Sequence, residues 1–273
     1  MKEPRLVSSR SHVLVKQLHR QANDPGAYRK LGSVWLEGDH LCKALLARGG
    51  VPQLAVIAES AWQQQVDLRA LALQAHEVVM LDDHLLGEVS SLETPARIGF
   101  LMALPEVVAS PVATLDTVVL DRLQDPGNVG TVLRSAAALG VKQVLALKGS
   151  AALWSPKVLR AGMGAHFALN LHEGVAPEVL DDLVSRGLAL VATSSHTRDE
   201  LHRVTLPSPC AWLLGHEGQG VDAALLARCN LSVRIPQPGG EESLNVAAAA
   251  AICFYETARQ RLMASGAAGS SVS

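Results

Sequence analysis

The chain has 273 residues, enough to bury one or two substantial cores, and its 48% hydrophobic and 18% charged residues describe a soluble globular protein. Aromatic residues make up only 3%, which excludes a surface paved with base-stacking rings, and the formal net charge of −2 gives no overall pull on polyanions. Cys42, Cys210, Cys229 and Cys253 are far apart, with no CxxC and no paired His spacing, so reduced core thiols are expected, with neither a disulfide framework nor a metal site. The charge-interrupted start MKEPRLVSSRSHVLVKQ lacks an apolar core of signal-peptide length, and no segment reads as a bilayer span. A cytoplasmic protein is expected.

The first 30 residues hide a local imbalance. Lys2, Arg5, Arg10, Lys16, Arg20, Arg29 and Lys30 face only Glu3 and Asp24, a local charge of +5. Such a basic end points toward phosphates, and an ordinary solvated terminus explains it equally well. Ser11 to Gln21 carries Val13, Leu14 and Leu18 at helical spacing. After the turn signal Asn23-Asp24-Pro25-Gly26, Ser33 to Glu37 reads as a strand and His40 to Arg48 as a helix. Leu54 to Ala58, Val78 to Leu81 and Ile98 to Ala103 read as further strands, which makes residues 1–104 a small layered α/β domain.

Pro105 to Pro111 reads PEVVASP, and residues 105–114 are the expected linker. From residue 115 the pattern is strand, glycine turn, helix, repeated. Thr117 to Asp121 is a buried-type strand, Asp125-Pro126-Gly127-Asn128 a turn, and Val129 to Leu139 a helix closed by Gly140. Gln143 to Leu147 is a strand, and Ser155, Pro156 and Lys157 open a helix with Pro at its favoured first position. Phe167 to Leu171, Leu188 to Thr193, Cys210 to Leu214 and Leu231 to Ile235 follow as strands, with helices at Pro177 to Arg186 and Val221 to Arg228. This alternation predicts a mostly parallel sheet covered on both faces. The final residues 264–273, ASGAAGSSVS, read as a disordered tail.

The stretch from Ile235 to Glu256 changes character three times. An apolar run ends at Arg234, Ile235 and Pro236, Gly239 and Gly240 loosen the backbone, and Glu242, Ser243 and Asn245 crowd against a helix. Ser243 is the expected cap, and free N–H groups at the helix end are suited to an electron-rich ligand atom. A strand, a glycine turn and a capped helix account for the stretch as well.

The segment IPQPGGEESLNVAAAAAI resembles the third signature of the SpoU, or TrmH, family of RNA ribose methyltransferases, within the wider SPOUT class. LDRLQDPGNVGTVLRSAAALG at Leu120 to Gly140 and LLGHEGQGV at Leu213 to Val221 resemble its other two, in the family's order, and with WSPKVLRAGMGAHF they cover most of the C-terminal half. The resemblance implies a parallel-sheet SPOUT domain over residues 115–263, tied in a deep trefoil knot and working as a homodimer. Spacing alone shows no knot. Position, length and the fragment GSVWLEGDHLCKALL make the N-terminal part resemble the family's ribosomal-protein-like substrate-binding domain.

The reaction so implied is methylation of a ribose 2′-hydroxyl with S-adenosylmethionine and no metal. The N-terminal extension favours ribosomal RNA, 23S, over tRNA as partner. Arg134, Asn128, Glu217, Ser243 and Asn245 match the catalytic positions, with Arg134 nearly two helical turns after Asn128. Thr193, Ser194, Gly215, Glu217, Gly220, Ile235, Pro236, Ser243, Leu244 and Asn245 are the implied cofactor contacts, and Arg5, Arg10, Lys16, Arg20, Lys157 and Arg160 the candidate RNA contacts. The family usually assigns Arg134 to activating the hydroxyl; a permanently charged guanidinium serves better as a bidentate phosphate partner. His216 stands where the family has a smaller or amide residue and is read as structural, and Gln237 where many relatives have methionine. A non-catalytic RNA-binding or ribosome-assembly factor is the alternative. A nucleotide-dependent oxidoreductase is a third reading, weakened because GNVG departs from GxGxxG.

Overall fold

The computed structural model describes residues 4–106, 110–194, 197–239 and 243–269. The chain forms two compact units, one of residues up to Glu106 together with Trp154–Phe167, the other of the remainder. The elements in order are β1 (Arg5–Val7), α1 (Val13–Asn23), α2 (Ala27–Leu31), β2 (Ser33–Glu37), α3 (Asp39–Ala47), β3 (Leu54–Ala58), α4 (Glu59–Gln64), α5 (Val66–Ala72), β4 (Glu77–Leu81), α6 (Asp83–Val89) and β5 (Ile98–Ala103). They continue as β6 (Thr117–Leu120), α7 (Pro126–Ala138), β7 (Gln143–Leu147), α8 (Pro156–Gly162), β8 (Asn170–Val175), α9 (Glu178–Ser185), β9 (Ala189–Thr193), β10 (Cys210–Leu214), α10 (Ala223–Leu226), β11 (Leu231–Val233) and α11 (Val246–Gly269).

In the first unit a five-stranded sheet runs in the order β1-β4-β3-β5-β2, with β5 antiparallel to both its neighbours. Val15, Leu18 and Ala22 form the buried stripe of α1. Gln21, also buried there, donates to the Ser33 carbonyl at 2.7 Å and to its hydroxyl at 2.8 Å. Helix α8 packs on α1 and β2, which is why Trp154–Phe167 belongs to this unit although the sequence pattern grouped it with residues 115–263.

The second unit is built on six parallel strands in the order β11-β9-β10-β6-β7-β8. Successive side chains alternate across the sheet. On one face Val119, Leu145, Leu147, Leu190, Ala192, Ala211 and Leu213 pack with Leu180 and Leu183 of α9 and Leu225 of α10. On the other, α11 lies against β10 and α7, and buried Trp212 donates its indole N–H to Thr257 Oγ1 at 3.0 Å. Cys42, Cys210 and Cys253 are buried and Cys229 half-buried, and burial pushes all four thiols up, Cys210 to about 12 and Cys229 to about 11.

Several sequence expectations need correction. Asp125 to Asn128 is a helix start, not a turn: Asp125 caps α7 by accepting from Asn128 N–H at 2.7 Å, with Pro126 at the first position. The strand expected at Phe167 to Leu171 begins at Asn170, because Ala165–Ala168 closes into a 3-10 turn. Residues 264–269, expected to be disordered, continue α11; Ala264, Ala267 and Ala268 are strong helix formers with no proline to stop them, and residues 270–273 lie outside the described set. Within the expected linker, Val107–Ala109 also lies outside the described set; beyond it Val112 N–H donates to Gln143 Oε1 at 2.8 Å and Ala113 is buried in the second unit's core.

Candidate active site

The carboxyl ends of β9, β10 and β11, neighbours in the second unit's sheet, open into a cavity of about 660 Å3. Parallel α/β sheets bind ligands at that end of their strands. Thr193 and Ser194 enter it from β9, Leu214 to Gly218, Gly220 and Val221 from the loop after β10, Arg234, Ile235 and Gln237 from the segment after β11, and Ser243 to Val246 with Ala249 from the start of α11. Of the expected cofactor residues, Thr193, Ser194, Gly215, Glu217, Gly220, Ile235, Ser243, Leu244 and Asn245 line it, and Pro236 does not.

The loop after β10 folds tightly on itself. His216 N–H donates to the Gly220 carbonyl at 3.0 Å and Gly220 N–H to the His216 carbonyl at 2.8 Å. A Cβ at Gly215 would stand 2.1 Å from the Gly220 carbonyl carbon and from the Val221 nitrogen, so only glycine permits this approach. His216 Nδ1 accepts from Gly218 N–H at 3.0 Å and Gln219 N–H at 3.3 Å, a turn-closing role. On the far side Arg122, with φ +55°, pairs with buried Asp121 at 2.9 Å and donates to Gln219 Oε1 at 3.3 Å, while Asp121 accepts from Asp222 N–H at 2.7 Å.

The glycine loop projects Glu217 onto the start of α7. Its carboxylate accepts from Asp125 N–H at 3.1 Å, Gln124 N–H at 3.4 Å and Asn128 Nδ2 at 3.3 Å. Burial works to raise its pKa; these hydrogen bonds and one from its own backbone outweigh that and hold it below the usual carboxylate value. Asn128 Oδ1 in turn accepts from Asn245 Nδ2 at 3.0 Å, and Asn245 Oδ1 accepts from Ala247 N–H at 2.9 Å and Ala248 N–H at 3.2 Å. Backbone N–H groups can only donate and an ionised carboxylate can only accept, so both amides have one consistent orientation along this line. Asn245, rather than Ser243, therefore caps α11; Ser243 lines the cavity instead.

Three residues from three distant stretches are thus joined in one chain of hydrogen bonds. The model of the SpoU rRNA Methylase family matches residues 116–255, a span containing all three. The chain belongs to this family. A Synechocystis protein named as an uncharacterised tRNA/rRNA methyltransferase is 34% identical over 95% of both chains. The 23S rRNA (guanosine(2553)-2′-O)-methyltransferase RlmP of Bacillus subtilis is 33% identical over 83% of this chain and 88% of its own. The SpoU methyltransferase AviRb from Streptomyces viridochromogenes, solved with the cofactor AdoMet, superposes with a TM-score of 0.83 at 26% identity, covering 92% of this chain and 98% of that one.

Within this SpoU framework, Arg134 stands apart from the line. It is exposed on α7, does not line the cavity, and has no hydrogen bond or ion pair among the described residues. The candidate RNA contacts of the SpoU chain all fall in its first unit. Arg10 and Lys16 share a hollow with His19 and Glu88, where Arg10 pairs with Glu88. Arg5 reaches His12 at 3.4 Å, Arg20 lies 3.7 Å from Asp24, Arg160 donates to Ser91 Oγ at 3.2 Å, and Lys157 is exposed. Sequence reasoning did not single out Arg122 or Arg234; positive φ at a non-glycine residue and an ion pair to Glu200 are features of the folded chain alone.

Proposed function

We propose that this protein transfers a methyl group from S-adenosylmethionine to a ribose 2′-hydroxyl of ribosomal RNA, 23S RNA first and tRNA second. The observation that carries the reading is the line from the α11 backbone through Asn245 and Asn128 to Glu217, two of whose side chains line the cavity. The name of the Bacillus subtilis relative supports ribosomal RNA, and the cofactor bound by AviRb supports S-adenosylmethionine.

The residues present fit that cofactor. The cavity combines apolar walls at Ile235, Leu244 and Val221 with close backbone approach at Gly215, and it contains a buried, unpartnered acceptor at Gln237 Oε1. Thr193, Ser194, Gly215, Glu217, Gly220, Ile235, Ser243, Leu244 and Asn245 would hold it. When bound it supplies an electrophilic methyl group on a sulfonium centre. Such transfer asks the protein for positioning and a dry site. Asn128 and Asn245 are held rigid by partners at both ends, so the groups they present to a ribose are preorganised. Glu217 stays ionised and orients Asn128. Arg134 is an available cation for an RNA phosphate, and its charge stabilises the oxyanion developing on the 2′-oxygen.

The first unit is the RNA-gripping part in this reading, through Arg10 and Lys16 in their hollow and through Arg5, Arg20, Lys157 and Arg160. Family membership supports the trefoil knot and a cytoplasmic place of action beside the ribosome. A homodimer is supported by α11, where Ile252, Tyr255, Leu262 and Met263 are 40%, 60%, 72% and 67% exposed along one stripe. The test is methyl transfer from labelled S-adenosylmethionine to unmodified ribosomal RNA and tRNA, followed by nucleoside mass spectrometry. Label in a 2′-O-methylribose of 23S RNA is the expected result. Cofactor binding without transfer to either RNA would point to a missing partner or a precursor substrate, and no cofactor binding at all would favour the non-catalytic RNA binder.

A further inference from the structure

We infer that Gln237 recognises the 6-amino group of the cofactor's adenine and makes the pocket selective for a 6-aminopurine. The inference rests on the reading of the cavity as the S-adenosylmethionine site. Gln237 follows β11 and lines the cavity, its Oε1 is buried, and its carboxamide has no hydrogen-bond partner among the described residues.

Four other polar side chains that line the cavity are already engaged, while Thr193, Ser194 and Ser243 present hydroxyls and no carboxamide. Glu217 and Asn245 belong to the line through Asn128, His216 closes its own turn, and Arg234 pairs with Glu200. Ile235 and Leu244 beside Gln237 offer no side-chain donor. A buried acceptor left without a donor is costly in a folded protein, so the position is suited to a ligand that brings one. A carboxamide presents an acceptor and a donor side by side, and adenine presents an amino donor beside a ring-nitrogen acceptor, the pairing by which glutamine reads adenine elsewhere. A base without the amino group leaves Oε1 as unpaired as before, and that loss is the source of discrimination.

The test compares S-adenosylhomocysteine with its analogue lacking the 6-amino group, by calorimetry on the full chain and on Gln237→Met and Gln237→Ala. Wild type is expected to bind the amino compound at least about 10-fold more tightly, the scale of one net hydrogen bond. Both variants are expected to bring the two compounds within about 2-fold of each other, mainly by weakening the amino compound. The ratio is the deciding quantity, because a general loosening of the pocket would weaken both ligands together. Equal binding by wild type, or a 10-fold preference retained in both variants, would overturn the proposal. Failure of both compounds to bind wild type at millimolar concentration would instead overturn the cofactor reading beneath it.

Discussion

Asn128 concentrates the demands of the candidate site in one amide. Its Oδ1 must accept from Asn245 and its Nδ2 must donate to Glu217, so replacing it with aspartate sets a second carboxylate oxygen against Glu217 Oε1. Asn128→Asp is expected to lower kcat/KM for methyl transfer by about 100-fold or more, close to the loss of one preorganised polar contact; an activity within 3-fold of wild type would remove the line from the mechanism. Glu217 carries a pH signature of known sign. Its folded pKa lies below the ordinary value of 4.5, so it stabilises the loop fully above that value, and this contribution is lost as pH falls through the folded pKa. Thermal melts from pH 7 to 3 are expected to show a shallower acid decline for Glu217→Gln. Asn128, Glu217 and Asn245 were singled out through the resemblance to the family's three signatures, on whose polar positions they fall, and not through spacing alone. The helix cap was not legible, since Ser243 and Asn245 are both good caps and only the fold settles which side-chain oxygen meets the α11 N–H groups. Gln237 was legible only as an oddity, because burial of one oxygen leaves no mark in a sequence.

At the scale of elements, α11 does most of the assembly. Ala247, Ala250, Cys253 and Phe254 are its buried stripe, Thr257 takes the Trp212 indole, and Gln260 Oε1 accepts from Leu206 N–H at 2.9 Å. Phe254 is fully buried, so Phe254→Ala is expected to cost about 3–5 kcal/mol, read as a lowered urea midpoint with the slope preserved. A loss under about 1 kcal/mol would mean that α11 is not part of the cooperative core. The strands of the second unit were legible as apolar runs between turn signals, since parallel strands buried on both faces contain little else. The short helices α4, α5 and α6 were not, because six or seven residues give too few turns for a period to show, and Asp82 capping α6 looks like any loop aspartate. Strand β1 was missed for the same reason: three residues, Arg5–Val7, pair with β4 through backbone alone.

At the scale of the whole molecule, the first unit is assembled from two separate stretches of chain. A fragment ending at Glu106 lacks Trp154–Phe167, and with it the α8 surface that covers α1 and β2. Such a fragment is expected to melt without a cooperative transition or to aggregate; a sharp thermal transition matching part of the full chain's would show that the insertion is dispensable. The units divide after Glu106, while the return of Trp154–Phe167 to the first unit was not legible, since an apolar stripe says that a helix is buried and never against what.

The strand order of the second sheet also sets a schedule. β6 lies in the middle of that sheet, yet its neighbour β10 ends at Leu214, and Asn128 finds its partners only at Glu217 and Asn245. A chain emerging from a ribosome must therefore hold β6 and its apolar flanks unpaired on one side for nearly a hundred residues before the sheet can close, a long exposure for a slow parallel pairing. The hydrogen-bonded line that makes the candidate site rigid is complete only when almost all of the protein has been made, so a chain terminated before Asn245 carries at most its Asn128–Glu217 part.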